Sequence, residues 1–331
     1  AGVLLRVDAA APEVAINPLR APVTLEIVTG ANVAADLARV KAACAAAGLL
    51  PARVVALPQR YLASHQPDGP WPDGPAPADL IGPARAAFPE AEIGGGVLTN
   101  FTEFNRCRPD PARIDFATFG TTGIVHAADD RSVLQTLEAL DDVFASARAL
   151  AGDRPLRLGL ISIGMRSNPY GAAVAANPDG ARTPMAMDDP RQRTQFAAAF
   201  AVAAAAAAAR GGVASYAPAM AAGPLGLGSD GALWPIFHTV AALAALGEVE
   251  VVVAGGPSAG LVSIVGHGNR GVRGIVANLG PEAAEVAAPA GAVVLALDIA
   301  AHEADWLDRA GSAASARLGP LDLAVFKVGA A

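Results

Sequence analysis

Short aliphatic and β-branched runs alternate with stretches whose apolar positions recur every three or four residues. Leu4 to Val7 and Thr24 to Val28 read as strands, and the second leads into a helical pattern at Val33, Leu37, Val40 and Cys44 that Gly48 closes. The unit recurs as Arg53 to Leu57 then Pro77 to Ala87, Ile114 to Phe119 then Val133 to Leu150, and Leu156 to Ile163 then Pro190 to Ala209. In the helix after Val133, Leu134, Leu137, Leu140, Phe144 and Ala147 form one stripe, opposite Glu138, Asp141 and Asp142. Asp189-Pro190-Arg191-Gln192 has the residue types of a capped helix start, with Gln where a capping box needs it. Strands alternating with helices predict a parallel sheet with helices outside it.

After about Leu246 the pattern becomes one of consecutive strands: Val249 to Val253, Gly260 to Val265, Val272 to Ala277, Ala292 to Leu297 and Leu321 to Val328. The expectation is an α/β chain: a TIM-like (β/α)8 barrel over residues 1–246, then a small antiparallel β domain over residues 247–331. About seven strands precede the change, and no Gly-rich dinucleotide fingerprint follows the first, which favours a closed barrel over an open doubly wound sheet. Gly255-Gly256-Pro257-Ser258-Ala259-Gly260 lacks the Lys of a phosphate loop and reads as a turn.

Charge narrows the partners. Acidic residues outnumber basic ones, 31 to 24, and the Lys and Arg are scattered, so no groove for nucleic acid is expected. Cys44 and Cys107 have no CxxC spacing, which leaves neither a disulfide framework nor a zinc site and suits a cytoplasmic setting. The run Phe196 to Ala209 is mostly Ala and shorter than the about 20 residues a bilayer needs, so it reads as a core helix and no membrane partner is expected. The chain opens on Ala1 without a Met, which suggests a segment of something longer.

In a β/α barrel the reacting groups sit at the carboxyl ends of the strands. Four polar stretches fall there. Gly94-Gly95-Gly96 precedes a dense polar set at Asn100, Glu103, Asn105 and Arg106, in which Glu103 is the one carboxylate. His126 lies just past a strand and can change charge near neutral pH, although it equally suits a core position; Asp129 and Asp130 stand where the next helix needs an N-cap. Arg166 and Asn168 end another strand, spaced to face the same way, and Arg166 suits either a ligand or an ion pair with a loop acid. The fourth stretch, Asp188 to Gln192, is explained by capping.

These stretches together carry a resemblance. From Ile93 to Gly226 the sequence resembles the barrel part of the D-apionate lactonase family, through Gly94-Gly95-Gly96, Asn100-Phe101-Thr102-Glu103-Phe104-Asn105-Arg106, Val125-His126-Ala127-Ala128-Asp129-Asp130, Arg166 with Asn168-Pro169, and Asp189-Pro190-Arg191-Gln192. The tail after Leu246 resembles that family's C-terminal domain, and the family's upstream β domain has no counterpart here. The resemblance implies hydrolysis of a five-membered sugar lactone to the free acid. Where the corresponding strand of relatives can end in Glu, this chain reads Ser215-Tyr216-Ala217-Pro218-Ala219-Met220-Ala221-Ala222-Gly223. A retaining glycosidase needs two carboxylates flanking the bond, so glycoside cleavage becomes the alternative, beside a sugar-acid binding protein without activity.

Lactone opening needs a water, a base and donors facing the developing oxyanion. The expected roles are Glu103 as general base, His126 as proton donor to the ring oxygen or oxyanion, and Arg166 as oxyanion or hydroxyl ligand. Asn100, Asn105, Arg106, Asp129 and Asn168 are expected to bind substrate. The GxSxG match at Gly256-Pro257-Ser258-Ala259-Gly260 falls in a turn between two β strands rather than between a strand and a helix, so no Ser nucleophile elbow is read from it. Glu103, His126 and Asp129 are acceptable metal ligands, but their spacing is no recognised signature, so no metal or other cofactor is assigned.

Overall fold

A computed structural model of the chain describes residues 2–12, 21–229, 231–247, 250–266, 271–297, 305–308 and 313–328. Seven strands lie side by side in chain order: β1 (Val3–Asp8), β2 (Val23–Thr29), β3 (Arg53–Pro58), β4 (Glu92–Asn100), β5 (Phe116–Thr122), β6 (Leu156–Ser162) and β7 (Val213–Ala217). Every neighbouring pair is parallel, so the chain must cross back between strands, and helices supply most of the crossings. They are α1 (Val33–Ala46), α2 (Ile81–Ala87), α3 (Phe101–Cys107), α4 (Asp130–Ala151), α5 (Gln195–Arg210) and α6 (Pro235–Leu246), the last preceded by a small hairpin of β8 (Gly228–Ser229) and β9 (Ala232–Leu233). This is the TIM-type architecture that the alternation predicts. Among the described residues no eighth strand pairs with β1 or β7, because after α6 the chain enters a different sheet.

The triple glycine corrects a detail of the sequence reading. Gly94, Gly95 and Gly96 lie inside β4, which runs on to Asn100, and Glu103, Asn105 and Arg106 of the polar set lie in the short helix α3. Gly96 has φ +141, and a Cβ there would collide with the Thr118 carbonyl, while one at Gly94 would collide with the Phe116 ring. These glycines let β5 approach β4. The second correction concerns what Asp189 caps: its Oδ1 accepts from the Arg191 N–H at 2.9 Å ahead of Pro190, but Pro190–Arg193 form a 3₁₀ turn, and α5 starts at Gln195 under a Thr194 cap whose hydroxyl accepts from the Phe196 N–H at 3.2 Å. Gln192 makes no capping box, since its Nε2 donates to the Gly226 carbonyl at 3.0 Å.

The antiparallel half runs β10 (Val251–Gly255), β11 (Leu261–Gly266), β12 (Val272–Asn278), β13 (Ala284–Ala287), β14 (Ala292–Ala296), β15 (Ser315–Leu318) and β16 (Leu323–Val328). Five of these form a sheet in the order β10-β11-β12-β16-β14, and β13 pairs with β15. The larger sheet packs against α5 and α6, and its Val262, Ile264 and Ile275 belong to the same apolar cluster as Phe119, Phe144 and Phe200. Val249, where the first of these strands is expected to begin, lies outside the described residues, and the strand is described from Val251.

Candidate active site

Two charged side chains interrupt the aliphatic runs of the first two strands. Arg6 of β1 and Glu26 of β2 are register partners, and Glu26 is only 2% exposed. A buried carboxylate requires paired charge and hydrogen bonds. Glu26 Oε2 accepts from Arg6 Nε at 2.7 Å and from Arg166 Nη1 at 3.1 Å. Arg6 also donates from Nη1 to Ser167 Oγ at 3.0 Å and from Nη2 to the Leu98 carbonyl at 2.8 Å, tying β1, β2, β4 and the segment after β6 together. Burial lowers the Arg166 guanidinium to about 10, the Arg6 charge adds to the effect, and Glu26 opposes it.

These three residues line a small cavity at the carboxyl ends of the strands, about 20 Å³, enough to hold a water molecule. Its other walls are residues 98–100 of β4, 120–122 of β5, 159, 160 and 162 of β6, and 165–167 beyond it. Thr99, 4% exposed, has a buried hydroxyl without a hydrogen-bond partner, and the buried Asn100 Nδ2 also has none. Buried polar atoms are ordinarily paired, so two unpaired ones in a cavity wall mark a place for a bound water or another polar atom. Gly159 leaves room for Glu26, since a Cβ there would lie 3.2 Å from Glu26 Oε1.

Of the residues singled out from the sequence, Asn100 and Arg166 line this cavity, and Glu103 and His126 are not among its walls. Glu103 is buried and held locally: Oε1 accepts from Ser64 Oγ at 2.7 Å and Oε2 from the Asn100 N–H at 3.2 Å, with Arg106 Nη1 at 4.0 Å. Arg106 also donates to Ser64 Oγ, and the Ser64 N–H donates to the Pro169 carbonyl at 2.7 Å, so this group joins the loop after β3 to those after β4 and β6. His126 is exposed in the loop between β5 and α4. Asp129 caps α4, accepting from the Ser132 N–H at 2.9 Å, and bonds from the Ser132 hydroxyl and N–H hold its carboxyl below the usual range. Asn105 Oδ1 accepts from Arg108, and Asn168 shapes its own loop, donating to the Ala173 carbonyl at 2.8 Å and accepting from the Tyr170 N–H at 2.9 Å. Among the described residues no three His, Cys, Asp or Glu side chains are grouped to hold a metal ion, and no helix is long and apolar enough to cross a membrane.

Residues 7–248 match the family model described as D-apionate lactonase, TIM barrel domain. The chain belongs to this family. Within the D-apionate lactonase family, the protein of that name from Brucella anthropi is 43% identical over 209 residues, covering 61% of this chain and 34% of that protein. The chain thus spans about a third of the length of that relative. Among solved structures, a GH30 endoxylanase from Clostridium papyrosolvens C71 is similar with TM-score 0.55 at 11% identity, covering 94% of this chain and 80% of that one. A 4-O-α-L-rhamnosyl-β-D-glucuronidase from Fusarium oxysporum 12S gives TM-score 0.52 at 11% identity, covering 94% and 77%. At such identities the likeness concerns the fold alone. The family match includes Glu26 and Arg166, and Arg6 precedes it by one residue.

Proposed function

We propose that this chain opens a small sugar lactone, such as D-apionolactone, to its aldonic acid at the mouth of the cavity around Glu26, which has room for the attacking water. The observation that carries the reading is the convergence of Arg6 and Arg166 on a buried Glu26 beside unpartnered Thr99 and Asn100 atoms. Family membership supports the same chemistry. Glu26 Oε2 is held by the two guanidiniums, which leaves Oε1 to take a proton from water as it adds to the lactone carbonyl. Arg166 faces the oxygen that gains charge, Thr99 and Asn100 bind ring hydroxyls, and Glu26 returns the proton to the ring oxygen as its bond to the carbonyl carbon breaks. The base role that the sequence suggests for Glu103 passes to Glu26 because Glu26 lines the cavity; Glu103 then acts as a positioning residue through the Asn100 N–H. No metal or cofactor enters this reading, and the free cysteines Cys44 and Cys107 suit a cytoplasmic setting.

The test is acid release from pentonolactones at neutral pH, measured over the buffer rate. Glu26→Gln should lower turnover by about 100- to 10,000-fold. Glu103→Gln should lose less and should mainly raise KM. Circular dichroism must show both variants folded, since Glu26→Gln leaves two arginines beside a neutral amide. Full turnover in folded Glu26→Gln would remove Glu26 from the chemistry. Release of phenol from aryl glycosides without lactone opening would favour the glycosidase reading.

A further inference from the structure

Strand β10 is an open edge of the larger antiparallel sheet. It pairs with β11, and among the described residues no strand lies on its other side. The Gly256 N–H donates to the Leu261 carbonyl at 2.9 Å, continuing the register that sets Gly255 against Val262. Hydrogen-bonded pairs alternate along an antiparallel ladder, so Val252 and Ala254 direct their backbone groups to β11 while Val251 and Val253 turn theirs outward. The side chains alternate as well: Val251 and Val253 pack against the main apolar cluster, and Val252 and Ala254 are exposed, Val252 by 71%. On that exposed face β13 and β15 cover the far strands, where Val286 and Leu318 pack with Val276, Val294 and Phe326. Toward β10 the cover stops, leaving an open apolar hollow of about 430 Å³ lined by Ala254, Leu261, Val265 and Val286. Open edges are ordinarily guarded by Lys, Pro or an inward charge, and Val251-Val252-Val253-Ala254-Gly255 has none of these.

We infer that two copies of this chain associate through β10, the two strands running antiparallel about a twofold axis at Val253 and joining the two five-stranded sheets into one. A twofold contact uses the same patch on both copies, and an antiparallel strand edge is self-complementary in its donors and acceptors. Outward-turned residues must meet outward-turned residues, and the axis at Val253 is the one that does this over the whole strand. Val251 then lies opposite Gly255 of the second copy, and Val252 opposite Ala254. The exposed Val252 side chain packs on Ala254 at the rim of the hollow, which gives it the cover it lacks in the single chain. Charge fits the same register. One step beyond the strand, the exposed Glu250 meets Gly256 of the second copy, beside the Gly255 carbonyl. Arg210 binds Asp141 through Nε and Nη2 and brings Nη1 to that carbonyl at 3.4 Å, so a guanidinium faces each incoming Glu250.

Sedimentation velocity on the whole chain tests this. A contact between two five-residue strands is small, so the dimer is reversible, with a dissociation constant of about 1–100 µM. Across that range of concentration the mass should rise from 33.0 kDa toward twice that value. Val252→Lys places a charge on an exposed side chain and should weaken association at least about tenfold, with circular dichroism unchanged. The register has its own test. Val252→Cys combined with Ala254→Cys sets thiols at directly opposed, non-hydrogen-bonded positions of the two copies, and mild oxidation should give a disulfide-linked dimer. Val252→Cys alone leaves its thiols on a diagonal and should link at least about tenfold more slowly, with the parent and its free Cys44 and Cys107 as the background. A monomer throughout the range, a dimer as tight in Val252→Lys as in the parent, or linkage as fast through Val252→Cys alone as through the pair overturns the inference.

Discussion

A methyl group at Gly159 would lie 3.2 Å from Glu26 Oε1 and 3.5 Å from the Phe119 carbonyl, a tight approach rather than an impossible one. Gly159→Ala should therefore leave the chain folded while displacing the free oxygen of Glu26, and lactone turnover should fall by at least about tenfold with melting temperature within a few degrees of the parent. Unchanged turnover in this variant would argue against Glu26 Oε1 as the proton acceptor. Cys107 offers a second probe at this scale. Burial pushes its thiol to about 11, the Glu103 charge adds to the rise and Arg106 opposes it. The thiolate is the nucleophile, so iodoacetamide should react slowly at pH 8 and progressively faster as the pH rises toward 11. In Glu103→Gln the profile should move to lower pH; an unmoved profile would mean that Glu103 carries no charge beside it. What the sequence displayed of the site depended on where polar residues stand. Asn100 and Arg166 follow strand ends and were visible as candidates, whereas Arg6 and Glu26 sit mid-strand in VLLRVD and VTLEIVT. The available signal was a charge within a run of a parallel strand that should be buried on both faces. Which arginine reaches Glu26 across 140 residues is a matter of tertiary geometry that spacing does not carry.

Helix α5 is apolar around its whole circumference, with every residue from Gln195 to Ala208 buried. Its alanines make sense once both neighbours are known: the strands of the barrel lie on one side and β11 and β12 on the other, which leaves little width for side chains. The run reads as a core helix from composition, but the sheet on its far side is not visible from periodicity. Ala206→Leu should overpack this layer and destabilise the chain by about 1–3 kcal/mol, seen as a lower urea midpoint with unchanged slope. A gain in stability would mean that the layer has space. The stripe of α4 is nearly as expected, with Val133 rather than Leu134 as its fully buried first member, followed by Leu137, Leu140, Phe144 and Ala147. Loop ends were less legible, because Gln192 was free to bond Gly226, 34 residues away, instead of its own helix start. Asp115 ties elements at the opposite end. Its carboxyl lies below the usual range: burial raises it, but a 2.8 Å bond from Arg85 and a 2.7 Å bond from the Ile93 N–H outweigh that. A depressed carboxyl stabilises the fold above its ordinary range near pH 4, and that stability is lost as pH falls through the folded value. Asp115→Asn should therefore be less stable than the parent at pH 7 and nearly equal to it at pH 3, which urea unfolding at the two values checks.

Across the whole molecule, the change from alternating to consecutive strands near residue 247 suggests two units, yet the apolar interior does not divide there. Ile236, Ala242 and Leu246 of α6, the alanines of α5, and Val262, Ile264, Val272 and Ile275 of the antiparallel sheet belong to one cluster. The sheet covers the two helices on the side away from the barrel, and removing it would expose apolar surface costing about 25 cal/mol for each Å² uncovered. An interface of that composition resembles a core rather than the polar seam between independent domains. Calorimetric unfolding of residues 1–331 should accordingly give one transition with matching calorimetric and van't Hoff enthalpies. A chain ending at Gly247 should bind a hydrophobic dye strongly and lose its cooperative transition, even though it retains Arg6, Glu26 and Arg166. Two separated transitions in the full chain, or a compact and cooperative 1–247 fragment, would instead place the folding boundary where the sequence pattern changes. In that case the antiparallel sheet would be an appendage to a barrel that carries its own stability and its own cavity.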